Sequence, residues 1–201
     1  MSRSNTDMIR RKAFSAPLPA SKELRRAKSS AAANAIQDIT ALWRECGADG
    51  TIERLAARLP QNAVMKGLLG ICFPQSLTQS NFPYGIGVEF AGGAVDPDLE
   101  ILTIFTNTYA VFQSKGKMPD AFIDTYHKVV TEFFSQSTQY EYAENVEFEV
   151  YFSANTADPN YTCEIRIAVN EKARSSRSRK NAQPSERLCV LFFKTELHRR
   201  R

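Results

Sequence analysis

Val146, Phe148, Val150 and Phe152 alternate with Glu147, Glu149 and Tyr151, and the same period returns at Cys163, Ile165, Ile167 and Val169 against Glu164, Arg166 and Ala168. Successive side chains of a β-strand point to opposite faces, so an extended strand is the geometry that sorts this pattern into one apolar side and one polar side. The pattern predicts two antiparallel strands joined through the turn Ala157-Asp158-Pro159-Asn160, each with one face on the core and one in water. Leu188 to Phe193 is continuously apolar and predicts a further, more central strand.

Upstream the spacing changes to three and four. Ser21 is a suitable N-cap with Glu23 in the first turn, and a helix is predicted to run to about Cys46, before Gly47. Ala32, Ile36, Ile39, Leu42 and Trp43 form its apolar stripe. Asp49-Gly50-Thr51 opens a second short helix carrying Ile52, Leu55 and Leu59 and closed by Pro60, and Ala63 to Cys72 reads as a third, buried helical segment. Gly85 to Phe90 has strand character. From Asp96 to Phe112 the start Asp96-Pro97-Asp98 and the spacing of Leu99, Leu102, Phe105, Tyr109 and Phe112 favour a helix, while the Thr, Ile and Val content fits a strand; the helix is the reading adopted. Pro119-Asp120 opens a clearer helix through Phe134, with Phe122, Tyr126, Val129 and Phe133 on one side.

The fold class expected is therefore α+β, with N-terminal helices followed by a C-terminal antiparallel sheet and preceded by a disordered basic N-terminal arm. The expected organisation is an arm over 1–20, a single domain over 21–197 and a basic C-terminus over 198–201. Within the domain, 21–135 is expected to be mainly helical and 146–197 to hold antiparallel strands with a basic loop at 171–186.

Charge is distributed very unevenly along this plan. Residues 1–30 hold eight Lys/Arg against two acids, 31–170 hold eight against seventeen, and 171–201 hold ten against three, so a net charge of +4 conceals two basic ends and an acidic middle. Clusters of this kind fit a polyanionic partner, since each phosphate contact displaces a counterion and the planar guanidinium suits phosphate. The residues expected to bind nucleic acid or anionic lipid are Arg10, Arg11, Lys12, Arg25, Arg26 and Lys28 in the arm, Lys172, Arg174, Arg177, Arg179 and Lys180 in the loop, and Arg199, Arg200 and Arg201 at the end. Glu147, Glu149 and Glu164 are expected on a solvated sheet face, where they could accept a basic arm of a second copy in self-association.

Signals for chemistry are poor. Cys46, Cys72, Cys163 and Cys189 match no zinc spacing and read as reduced core thiols, so no metal site is expected. Gly85-Ile86-Gly87 and Gly92-Gly93 lack the spacing of a dinucleotide or phosphate cradle, and no cofactor is expected. His127, three residues after Asp124 and near Glu132, has no nucleophile or metal partner in the pattern, which argues against an enzyme; no small-molecule substrate is evident. With no long apolar run and no apolar segment behind the basic N-terminus, a cytoplasmic or nuclear location is expected.

The arm from Arg10 to Lys28, the helix-then-sheet body from about 31 and the basic 172–180 loop together resemble small structural proteins of RNA viruses, most of all the matrix proteins of negative-strand RNA viruses. The resemblance implies a self-associating virion protein, a homo-oligomer, that binds ribonucleoprotein and anionic membrane surface through its basic arms. A nucleocapsid or coat protein, or a nuclear nucleic-acid-binding regulator of the silencing-suppressor type, carries the same charge layout and is the alternative expectation.

Overall fold

The structure is a computed structural model describing residues 32–74, 76–78, 82–105, 108–144, 146–172 and 187–194. Two helices come first, α1 (Ala32–Ala48) and α2 (Thr51–Ala56). Gly50 turns the chain between them at φ 80°, a left-handed conformation open to glycine, and Asp49 Oδ1 accepts the Thr51 backbone N–H at 2.9 Å to start α2. Four strands follow: β1 (Leu68–Cys72), β2 (Tyr84–Glu89), β3 (Glu100–Phe105) and β4 (Thr108–Lys115). Next come α3 (Asp120–Lys128), continued by a π-helical turn over Val129–Phe134, and then β5 (Tyr140–Tyr142), β6 (Glu147–Tyr151), β7 (Thr162–Glu171) and β8 (Arg187–Lys194). No helix among the described residues is long and apolar enough to cross a membrane.

The expected layout of helices first and sheet last is overturned. The strands come from both halves of the chain and join in one antiparallel sheet of order β3-β8-β2-β1-β6-β7-β4, with β5 added beside β7. Two segments read as helix are strands. In Ala63–Cys72 the run Leu68–Cys72 is β1, flanked on both sides by strands. A strand buried on both faces has no apolar period, so a short apolar run of this kind looks the same as a buried helix. Asp96–Phe112 becomes β3 and the first part of β4, paired with β8 and β7 respectively. Its β-branched Ile101, Thr103, Ile104, Thr108 and Val111 outweigh the helical spacing of its large residues. The hairpin of β6 and β7, the strand at β2, the inner position of β8 and the helix from 120 follow the sequence reading. The expected arm over 1–20 and basic loop from 173 onward lie outside the described residues.

Both faces of the sheet are covered. On one, Leu69 and Ile71 of β1, Phe148 and Val150 of β6 and Ala168 of β7 share a core with Ile104 of β3 and Tyr109 of β4. These last two strands end the sheet order on opposite sides yet stand two residues apart in the chain, so the sheet curls around this core. On the other face lie two separate helical layers. Leu42 and Cys46 of α1 and Leu55 of α2 pack on Ile86 and Val88 of β2, while Phe122 and Tyr126 of α3 with Phe133 of the π turn pack on Phe112 of β4 and Ile165 and Ile167 of β7. Between these layers, over β1 and β6, opens the cavity described next.

Candidate functional site

In β6 the residues opposite in phase to Phe148 and Val150 are Glu147, Glu149 and Tyr151, and they point between the two helical layers. They line a cavity of about 790 Å³ whose walls include Trp43 of α1, Phe122 and Tyr126 of α3 and Phe82 of the loop before β2. That volume is in the range of pockets that enclose a drug-sized ligand. Arg44, Glu53 and His127 line it too, as exposed side chains, whereas Glu147 and Glu149 are only 4% and 6% exposed.

Glu149 sits at the centre of a hydrogen-bonded cluster. The Tyr84 hydroxyl donates to its Oε2 at 2.6 Å and the Tyr151 hydroxyl at 2.9 Å, while the Cys72 thiol points at Oε1 from 3.8 Å. The Trp43 indole N–H donates to the Tyr84 oxygen at 2.8 Å, and the Trp43 ring meets the Tyr151 ring edge-on with centroids 5.0 Å apart. Gly70 makes this possible. It pairs with Glu149 across the β1–β6 ladder, and a Cβ at Gly70 would clash with both the Tyr84 hydroxyl and the Glu149 carboxylate. Burial pushes the Glu149 carboxyl above its ordinary range, and the donors from Tyr84, Tyr151 and Cys72 oppose that shift.

Glu147 faces the other helical layer. The Tyr126 hydroxyl donates to its Oε2 at 3.3 Å, and Tyr142 of β5 also acts on the carboxyl. Its Oε1 is buried with no hydrogen-bond partner. Burial raises this carboxyl from 4.5 to about 7, with the tyrosine hydroxyls pulling it down and the Glu149 charge adding to the rise. The enclosed part of the cavity is therefore acidic, aromatic and free of cationic side chains among the described residues.

The sequence-predicted site residues fare differently. Arg10, Arg11, Lys12, Arg25, Arg26, Lys28, Arg174, Arg177, Arg179, Lys180, Arg199, Arg200 and Arg201 lie outside the described residues. Lys172 is exposed and its Nζ donates to the Ser137 carbonyl at 2.7 Å. Glu164 pairs with Arg166 at 2.6 Å on the far face of the sheet, away from the cavity. Glu147 and Glu149 are not on a solvated face: the expected polar side of β6 is buried in the cavity between the α1–α2 and α3 layers. Trp43, Gly70, Tyr84, Tyr126 and Tyr151 were not singled out as site residues, because no local spacing connects them. Among the described residues, no group of three or more His, Cys, Asp or Glu is placed to hold a metal ion.

The profile of Cass2, described as an integron-associated effector binding protein, matches residues 24–169. The chain belongs to the Cass2 family. This assignment overturns the resemblance to viral matrix proteins, and with it the expected virion role and the nucleocapsid and silencing-suppressor alternatives. Where the sequence made no small-molecule substrate evident, the family's description as effector binding points to a ligand. No curated protein matches the chain. Among solved structures, a Staphylococcus aureus MU50 protein described under bacterial transcription regulation is 25% identical, with a TM-score of 0.56 over 68% of this chain and 83% of its own. A second, SAV2435, solved bound to tetraphenylphosphonium, is 21% identical with a TM-score of 0.62 over 83% of this chain and 94% of its own, and has the same fold. The matched Cass2 region contains every cavity residue named above.

Proposed function

We propose that this Cass2 protein binds a hydrophobic organic cation as its effector, with Glu149 as the counter-charge and Trp43, Tyr126 and Tyr151 as aromatic walls. The observation that carries the reading is a carboxylate 6% exposed whose hydrogen-bond donors, two hydroxyls and a thiol, are all neutral. Burying a carboxylate without a cation is costly, and a protein that served only stability would gain by replacing it with an apolar or amide side chain. A ligand cation supplies the missing charge. Aromatic faces add cation–π attraction that grows once water is excluded. The tetraphenylphosphonium found in the structural neighbour, a lipophilic cation, supports the same chemistry. The reading is one of binding, with no chemical step assigned.

The ligand's charge and the carboxylate's ionisation are coupled. At about 4 Å and an effective dielectric near 20 the attraction is worth about 4 kcal/mol, part of which is consumed in ionising a buried acid. Replacing Glu149 with Gln keeps the shape and removes the charge. Titration of Trp43 fluorescence with a lipophilic monocation should show affinity reduced on the order of 10- to 100-fold in Glu149→Gln. Equal affinity in the two proteins would overturn the assignment of Glu149.

A further inference from the structure

We infer that the cavity holds a second cation subsite at Glu147, so that the preferred effector carries two positive charges separated by an aromatic spacer. The inference rests on the cation-binding reading of Glu149 and extends it to the class of ligand. Glu147 and Glu149 stand two residues apart on β6 and so share a face, with α-carbons about 7 Å apart at the usual strand rise. Both line the one cavity, and each is met by a different helical layer: Glu149 by the Trp43–Tyr84 pair on the α1 side, Glu147 by Tyr126 of α3.

The second, independent observation is the state of Glu147 itself. The residue is only 4% exposed, and Oε1 has no hydrogen-bond partner: Oε2 has Tyr126, and the nearby Tyr142 hydroxyl donates instead to the Pro74 carbonyl at 3.3 Å. A buried oxygen left without a donor is a deficit that a ligand N–H or cationic head group would remove. The titratable groups facing Glu147 from the elements around it are Tyr126 of α3, Tyr142 of β5, Cys72 of β1 and Glu149 of β6 itself. None of these is a cation; the two basic residues of the lining, Arg44 and His127, are exposed and are not among the groups that act on the Glu147 carboxyl, so a positive charge at this place comes with the ligand. A monocation bound at Glu149 leaves Glu147 free to stay protonated near neutrality. A dication engages both, and its advantage grows as Glu147 ionises.

The test uses two isosteric probes with permanent charges, so that the ligand does not titrate. One is 1,4-bis(trimethylammoniomethyl)benzene. The other has one quaternary nitrogen replaced by carbon, leaving a single charge on the same frame. Affinities of the full chain for both are measured between about pH 5.5 and about pH 8.5, on either side of the value of about 7 to which burial raises Glu147. Ionisation of Glu149 affects both probes alike, so the ratio of dication to monocation affinity reports Glu147. The ratio should rise on the order of tenfold across this range in the wild type and stay flat in Glu147→Gln. A flat ratio in the wild type, or the same rise in Glu147→Gln, overturns the second subsite while leaving the monocation reading intact. If neither probe binds, or if monocation binding is indifferent to Glu149→Gln, the parent reading fails and the subsite fails with it.

Discussion

Glu147→Gln should stabilise the ligand-free protein, and by an amount that depends on pH. Burial raises the Glu147 carboxyl from 4.5 to about 7. The folded chain therefore binds a proton more readily than the unfolded chain between these two values, and stability falls as pH rises through that window. Below about 4.5 both states are protonated and the group has no effect; above about 7 the full penalty is present. At about 1.36 kcal/mol per pH unit the gap corresponds to roughly 3 kcal/mol. Glutamine carries no charge to desolvate and can still accept from Tyr126. The variant should match the wild type near pH 4.5 and exceed it by about 3 kcal/mol at pH 8, a rise of roughly 6–12 °C in Tm for a chain of this size. Urea unfolding followed by Trp43 fluorescence over a pH series measures this directly. The exposed Asp49 and Asp98 titrate in both proteins and cancel in the difference, whereas Glu149, whose charge is coupled to that of Glu147, adds to it. A variant that is equally displaced at every pH, or less stable than wild type at pH 8, would refute the account of Glu147 as a buried acid retained at a cost in stability.

Two further substitutions probe the Glu149 cluster. Gly70→Ala places a methyl group against the Tyr84 hydroxyl and the Glu149 carboxylate, and should cost about 1–3 kcal/mol in urea unfolding while weakening cation binding; a variant with wild-type affinity would mean that the cluster can shift without loss. Tyr84→Phe removes the 2.6 Å donor to Glu149 and the acceptor of the Trp43 N–H, leaving both partners short of a bond; the expected cost is about 1–3 kcal/mol, with a shift in Trp43 emission and reduced cation affinity near neutrality as the Glu149 carboxyl rises further.

What the sequence discloses and what it hides follow from the same strand. The alternation across Val146–Phe152 announces β6 and separates Phe148 and Val150 from Glu147 and Glu149. It does not say what lies on the polar side. Alternation with carboxylates normally means water, and the reading fails because α1–α2 and α3 cover that face from elements 20 to 120 residues away in the chain. One signal pointed the other way: Leu68–Cys72, directly beside β6, is apolar in both phases, as a strand covered on both faces must be. Read as a helix, it could not give that warning. The cavity's other members, Trp43, Tyr84 and Tyr126, come from three elements and meet only through sheet order, which no local period encodes. The basic segments dominated the sequence reading because charge runs are visible without a fold, whereas two buried glutamates look like any other pair on a strand.

Selection of positive charge by the cavity is tested by two ligands of nearly the same shape. Tetraphenylphosphonium and tetraphenylborate each present four phenyl groups around one central atom and differ in the sign of the charge. Trp43 is the only tryptophan in the chain and stands in the cavity wall, so its emission reports occupancy without a label. Saturable quenching by the phosphonium and none by the borate is the result predicted by a carboxylate-based site. Equal or tighter binding of the borate would contradict it, leaving an apolar cavity whose buried glutamates play no part in recognition.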